Sequence, residues 1–211
     1  MLDLAKNGLK KLIPYELLKL QRDRKALKLW YNQGRPAPPP HIIKEQTIKE
    51  YATNHNTRVL IETGTYRGDM VYALKKYFDR VISFELDPAL HDEASRRFAN
   101  DQNVSIVLGD SGKILRDHIS SVTGPCLFWL DGHYSGGVTA KASLITPIKN
   151  ELEQICEHPV AGHVILIDDA RCFDGENDYP TLQEVELLIH ERKPDWQFSV
   201  SDDIIRVHQQ R

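Results

Sequence analysis

Short apolar runs that stop at an acidic residue are the feature that most constrains this fold. Cys126-Leu127-Phe128-Trp129-Leu130 runs into Asp131, and Val164-Ile165-Leu166-Ile167 runs into Asp168-Asp169. Runs this short, with no polar residue in alternation, suit strands buried on both faces. Such strands belong to parallel sheets covered by helices, and the ligands of open α/β sheets sit beyond the strands' carboxyl ends. Three carboxylates are therefore expected together at one edge of one sheet, an arrangement that can hold a divalent cation.

Helical patterns alternate with these runs from residue 41 onward. The sequence predicts a polar helix over 42–55, a strand at 58–61, and a helix over 69–78 after the Gly68 break. A strand at 81–84, a helix over 88–99 with Pro88 near its first turn, a strand at 104–107 and a short helix over 113–119 follow. The fourth strand ends at Asp131 and the fifth at Asp168, with a helix over 147–156 between them. A helix over 181–192 leads to strands at 197–200 and 204–208, joined by the turn Ser201-Asp202-Asp203. Repeated βα units predict an α/β fold with a doubly wound, Rossmann-like sheet. A chain of 211 residues has room for one such domain and an appendage.

The appendage is the stretch 1–40, with the domain spanning 41–211. It carries nine basic and three acidic residues, so the remainder is acidic enough to bring the whole chain to −3. Its apolar residues, among them Leu9, Leu12, Leu17, Leu20, Leu27 and Trp30, recur at helical spacing, and Pro14 starts a second segment. One or two basic amphipathic helices are predicted. They have three ways to cover the apolar stripe: against the core, against a second copy of the chain, or on an anionic membrane surface. The run Arg35-Pro36-Ala37-Pro38-Pro39-Pro40 then stiffens the exit. Three widely spaced cysteines, Cys126, Cys156 and Cys172, match neither a disulfide framework nor a zinc motif and suit a reducing cytoplasm. No run is long and apolar enough for a membrane span or a signal peptide, so a cytoplasmic protein, soluble or peripheral at the membrane, is expected. The balance of charge gives no reason to expect nucleic acid.

The first strand leads into Glu62-Thr63-Gly64-Thr65-Tyr66-Arg67-Gly68. Glycines at a strand-to-helix turn let a ligand approach the backbone closely, which points to a nucleotide-type ligand. The spacing is not the Gly-x-Gly-x-x-Gly of dinucleotide binders. Instead an acid precedes the first glycine: Glu62 either attracts the cationic end of a ligand such as S-adenosylmethionine or caps the turn. Glu85 ends the second strand, where an acid can accept from both ribose hydroxyls. Gly109-Asp110-Ser111 ends the third. There Asp110 either accepts from an adenine amino group or caps the helix that begins near Ser111.

Taken together, Glu62-Thr63-Gly64-Thr65-Tyr66-Arg67-Gly68, Phe84-Glu85, Gly109-Asp110, Leu130-Asp131-Gly132-His133 and Ile167-Asp168-Asp169 resemble class I S-adenosylmethionine-dependent methyltransferases. Within that class the pattern is most similar to the metal-dependent sugar O-methyltransferases of the macrocin O-methyltransferase type, over residues 57–170. The resemblance implies a seven-stranded sheet whose last strand is antiparallel. It implies S-adenosylmethionine as cofactor, held by Glu62, Thr63, Gly64, Gly68, Glu85, Asp110, Ser111 and Asp131. It also implies Mg²⁺ on Asp131, Asp168 and Asp169, and an acceptor with adjacent hydroxyls on a sugar, a glycan or a glycosylated metabolite.

Metal coordination would lower the pKa of an acceptor hydroxyl, and a base would then release the attacking oxygen. His133 is the candidate base, since histidine titrates close to neutral pH. A metal ligand, a hydrogen-bond donor to the acceptor and an ordinary loop residue are its alternatives, because the family's close members carry an acid at that place. Two competing functions remain: an NAD(P)-dependent oxidoreductase, disfavoured by the missing third glycine and the Asp168-Asp169 pair, and a non-catalytic nucleotide-binding or scaffold module. Three clustered acids argue against the module, because like charges held together are costly.

Overall fold

The computed structural model describes residues 15–132 and 146–210. Its elements in order are α1 (Tyr15–Asn32), α2 (His41–Asn54), β1 (Val59–Thr63), α3 (Asp69–Leu74), β2 (Arg80–Glu85), α4 (Pro88–Arg97), β3 (Val104–Leu108) and α5 (Ser111–Ile119). Then follow β4 (Cys126–Leu130), α6 (Ile148–Glu157), β5 (Val164–Ile167), a 3₁₀ turn (Ala170–Cys172), α7 (Leu182–Arg192), β6 (Trp196–Ser201) and β7 (Ile204–Gln209). The strands form one sheet in the order β3-β2-β1-β4-β5-β7-β6. Strands β1 to β5 pair in parallel, while β7 runs antiparallel to both β5 and β6. This is the Rossmann-like, doubly wound sheet of seven strands with an antiparallel last strand that the sequence led us to expect.

Alternation along the strands divides the core into two layers. Leu60, Val81, Leu127, Trp129, Val164 and Leu166 face the side covered by α2 and α3, where Ile48, Val71 and Leu74 pack on them. Ile61, Phe84, Phe128, Leu130, Ile165 and Ile167 face α5, α6 and α7, which contribute Leu115, Leu152 and Ile189. Both sides of β4 and β5 are therefore fully buried, as their unbroken apolar runs require.

Local signals set the element ends. Asp87 accepts from the Ala89 and Leu90 backbone N–H groups and so caps α4, with Pro88 in its first turn. Thr181 and Glu184 form a reciprocal capping box on α7. Asp202 and Asp203 both take positive φ in the β6–β7 turn, the backbone that tight hairpins need. Helix α3 stops at Leu74 rather than continuing to Phe78. The Asn103 side-chain amide donates to the Lys75 and Phe78 carbonyls at 2.7 and 3.0 Å, giving this stretch partners that a continued helix would replace.

The described part of the basic stretch docks on the domain. On α1, Lys19 donates to Glu45 of α2 at 2.7 Å, and the buried Trp30 donates its indole N–H to the Pro36 carbonyl at 2.8 Å. Arg35 pairs with Asp202. Leu17, Leu20, Leu29 and Tyr31 remain exposed on the same helix. Among the described residues no helix is long and apolar enough to cross a membrane.

Candidate functional site

The carboxyl edge of the sheet collects the acids by register. Glu62 lies beside Ser83 on β2 and Trp129 on β4, so these side chains share the α2 side of the sheet. Glu85, two residues after Ser83, and Asp131, two after Trp129, continue the same alternation. The ladder extends to Asp131, whose N–H donates to the Thr63 carbonyl at 3.0 Å, and to Asp168, whose N–H donates to Leu130 at 3.0 Å. The sheet order reverses between β1 and β4, the point where a crevice opens in doubly wound sheets.

The glycine loop turns at this point. Gly64 has φ +88°, and a side chain on it would bring a Cβ to 2.4 Å from the Asp131 carbonyl oxygen, so the β1 and β4 ends can approach only because this residue is glycine. Gly64 and Thr65 both donate their N–H groups to the Phe84 carbonyl at 3.0 Å. Gly68, at φ +74°, precedes α3.

Glu85 accepts from the Tyr66 N–H at 2.7 Å and the Asp87 N–H at 2.9 Å, and burial raises its pKa against the pull of these donors. Asp110 caps α5 by accepting from the Gly112 N–H at 3.1 Å and pairs with Lys113 at 3.0 Å, so the capping alternative is realised. Thr63 is fully buried beneath Gly132, on the face opposite Glu62.

Glu62 sits deep behind the turn. Its carboxyl is buried and hydrogen-bonded to the Ser83 hydroxyl, which lies 2.6 Å from that of Thr65. Burial, with the nearby charges of Asp131 and Glu85, pushes its pKa up to about 8. Through Ser83 it ties the β1 loop to β2.

Asp168 and Asp169 follow β5. The Asp168 side chain is 1% exposed; one oxygen accepts from the Asp169 N–H at 2.9 Å and the other pairs with Lys44 of α2. Burial and the neighbouring Asp131 raise the Asp168 pKa, while Lys44 opposes them. Burial disfavours the Lys44 charge, but Asp168, Asp131 and Asp169 outweigh it and raise its pKa. Asp169 sits in the left-handed region at φ +55° and accepts from Arg171 at 2.8 Å. Arg171 also pairs with Asp203, which fastens the β5 end to the β6–β7 turn.

This arrangement decides how the acids suit Mg²⁺. Among the described residues, no three His, Cys, Asp or Glu side chains are grouped to hold a metal ion. One oxygen of Asp168 is taken by an ammonium and one of Asp169 by a guanidinium, so as arranged the donor set does not fit a hard divalent cation that needs several open oxygens. His133 lies outside the described residues, as do residues 134–145.

Two participants escape sequence reasoning. Lys44 lies 124 residues from Asp168 on a helix whose pattern reads only as polar. Glu151 of α6 is 1% exposed and accepts from the Ser111 hydroxyl at 2.5 Å. Burial pushes its pKa up to about 7 against that hydrogen bond. With Asp131, Gly132, Asp168 and Tyr179 it lines a small, partly open hollow at the ends of β4 and β5, with room for about one water molecule. A carboxylic acid on an amphipathic helix reads in sequence as a solvent-facing residue, and only packing places it inside.

Comparison with known proteins places the fold. No protein-family model and no curated protein matches the chain. Solved structures do. The O-methyltransferase TomG from Streptomyces achromogenes, involved in tomaymycin synthesis and solved with SAM, is 17% identical with a TM-score of 0.58, over 88% of this chain and 87% of its own. An O-methyltransferase from Bacillus cereus, solved with SAH, is 15% identical with a TM-score of 0.60, over 89% of this chain and 90% of its own. The SAH-bound methyltransferase PaMTH1 of Podospora anserina is 13% identical with a TM-score of 0.53, over 99% of this chain and 95% of its own. The chain has the methyltransferase fold. At these identities the likeness concerns the fold and not the ligand-contacting residues.

Proposed function

We propose that this protein transfers a methyl group from S-adenosylmethionine to a hydroxyl of a small-molecule acceptor, a sugar or glycosylated metabolite by the family resemblance. The observation that carries the reading is the convergence of the Gly64–Gly68 turn, Glu85 and Asp110-Ser111 at the ends of β1, β2 and β3, beside the reversal in strand order. Support also comes from the solved structures of the same fold, which are titled as methyltransferases with SAM or SAH.

In this reading the β1 turn, kept thin by Gly64, admits the cofactor against backbone. The Glu85 carboxylate, already oriented by two N–H groups, accepts from the ribose hydroxyls. Asp110 and Ser111 border the adenine. Glu62 acts as a brace behind the turn through its hydrogen bond with Ser83, its pKa raised by burial. The acceptor lies over Asp131 and Asp168, where its oxygen attacks the sulfonium methyl in line, the carbon–sulfur bond breaks and S-adenosylhomocysteine leaves. The hydroxyl proton passes to a base, for which His133, two residues beyond Asp131 in sequence, is the proposed group. A bound Mg²⁺ would acidify the hydroxyl; no step is assigned to it, because Lys44 and Arg171 already meet the acids.

Calorimetry with S-adenosylmethionine, S-adenosylhomocysteine and NAD tests the cofactor. Both sulfur ligands should bind; binding of NAD and of neither sulfur ligand overturns the proposal. Transfer of a labelled methyl group to a panel of sugars with and without adjacent hydroxyls then tests the acceptor class.

A further inference from the structure

A cation of the protein itself, Lys44, meets the acid at the end of β5. Lys44 is delivered by a packed element: Ile43, Ile48 and Ala52 on the same helix are buried, and α2 lies against both β4 and β5. Its ammonium is 17% exposed, its partner Asp168 is 1% exposed, and the charges of Asp131 and Asp169 also act on it. Among the described residues, Asp168 meets it directly and Asp131 and Asp169 act on it by charge, while Arg171 also pairs with Asp169. Three acids at one sheet edge repel one another unless positive charge stands among them. A divalent ion bound to Asp168 would sit about 2 Å from a carboxylate oxygen, and Lys44 already lies in contact with that carboxylate. Two such cations would repel strongly, so the lysine and the metal are alternatives.

We propose that Lys44 supplies at Asp168 the positive charge that a divalent cation would otherwise bring to this sheet edge, and that the site works without a metal ion. The role given to Lys44 rests on the methyltransferase reading. Its ammonium holds Asp168 fixed and neutralised beneath the acceptor, and its three N–H donors give it one for Asp168 and others for an acceptor oxygen.

Electron paramagnetic resonance of added Mn²⁺ tests this without any assay of turnover. Wild-type protein should leave Mn²⁺ free at millimolar concentration. Lys44→Met should bind at least tenfold more tightly, and Asp168→Asn added to it should abolish that gain. Lys44→Arg, which keeps the charge, should behave as wild type. An Asp168-dependent Mn²⁺ site in the wild type overturns the proposal on its own, whether or not Lys44→Met folds, and so does a folded Lys44→Met that binds no better. Calorimetry with S-adenosylhomocysteine on the wild type is the separate arm: failure there removes the methyltransferase reading and leaves the metal result standing.

Discussion

At the scale of single residues, function depends on one missing side chain and one missing charge. Gly64→Ala would force a Cβ to 2.4 Å from the Asp131 carbonyl at a φ of +88°. Left-handed strain alone costs about 1–3 kcal/mol. The variant should melt several degrees lower and lose S-adenosylhomocysteine binding, measured by thermal unfolding and calorimetry; unchanged affinity would refute the role given to the turn. Glu62 has a folded pKa of about 8 against an ordinary 4.5, so its contribution to stability is full below pH 4.5 and is lost as pH rises to about 8. The slope approaches roughly 1.4 kcal/mol per pH unit. Glu62→Gln removes this slope, so its stability relative to wild type should improve steadily from pH 5 to pH 8 in denaturant titrations. A constant difference across that range would show that Glu62 is ionised in the folded protein. The acids themselves were legible, because each closes an apolar run. Their partners were not: the ion pair of Lys44 with Asp168 and the hydrogen bond of Ser111 with Glu151 join residues that only the packing of helices on a sheet brings together.

At the scale of elements, strands were read more faithfully than helix ends. Buried parallel strands announce themselves by uninterrupted apolar runs, whereas α3 ends early because of Asn103, which is distant in sequence. The docking of α1 was legible only as an apolar stripe needing cover; its anchor is polar. Glu45 is buried, and although burial alone would raise its pKa, hydrogen bonds from His41 and Lys19 hold it down at about 2. A carboxyl depressed on folding stabilises fully above its ordinary 4.5 and loses that contribution as pH falls toward about 2. Lowering the pH through this window should therefore release α1 from α2. Amide exchange across residues 17–32 should accelerate before exchange in β4 and β5, and Glu45→Gln should show the same acceleration already at pH 6. Simultaneous exchange of α1 and the central strands would mean that the helix is held by something other than this carboxyl.

At the scale of the whole molecule, the sheet separates the proposed ligand edge from a closed edge. At the amino end of β4, the His163 ring accepts from the Cys126 N–H at 3.0 Å and meets His158, whose other nitrogen contacts the Ile119 carbonyl, so that end is braced internally. At the carboxyl end, glycines, short loops and acids with raised pKa values accumulate around the β1–β4 crevice. Sites carrying charge repulsion and strain lower stability until a ligand satisfies them. A ligand that binds only the folded chain stabilises it by about 2.7 kcal/mol at one hundred times its dissociation constant. For a domain of this size, that corresponds to a rise in Tm of about 5–10 °C. S-adenosylhomocysteine should produce such a shift and slow amide exchange at residues 63–68, 85–87 and 109–111, leaving 122–126 and 158–164 as they were. Protection spread evenly over both edges would mean that the ligand stabilises the fold globally without seating in the crevice. Protection confined to the β4 and β5 ends would move the cofactor to the place over Asp131 and Asp168 proposed for the acceptor.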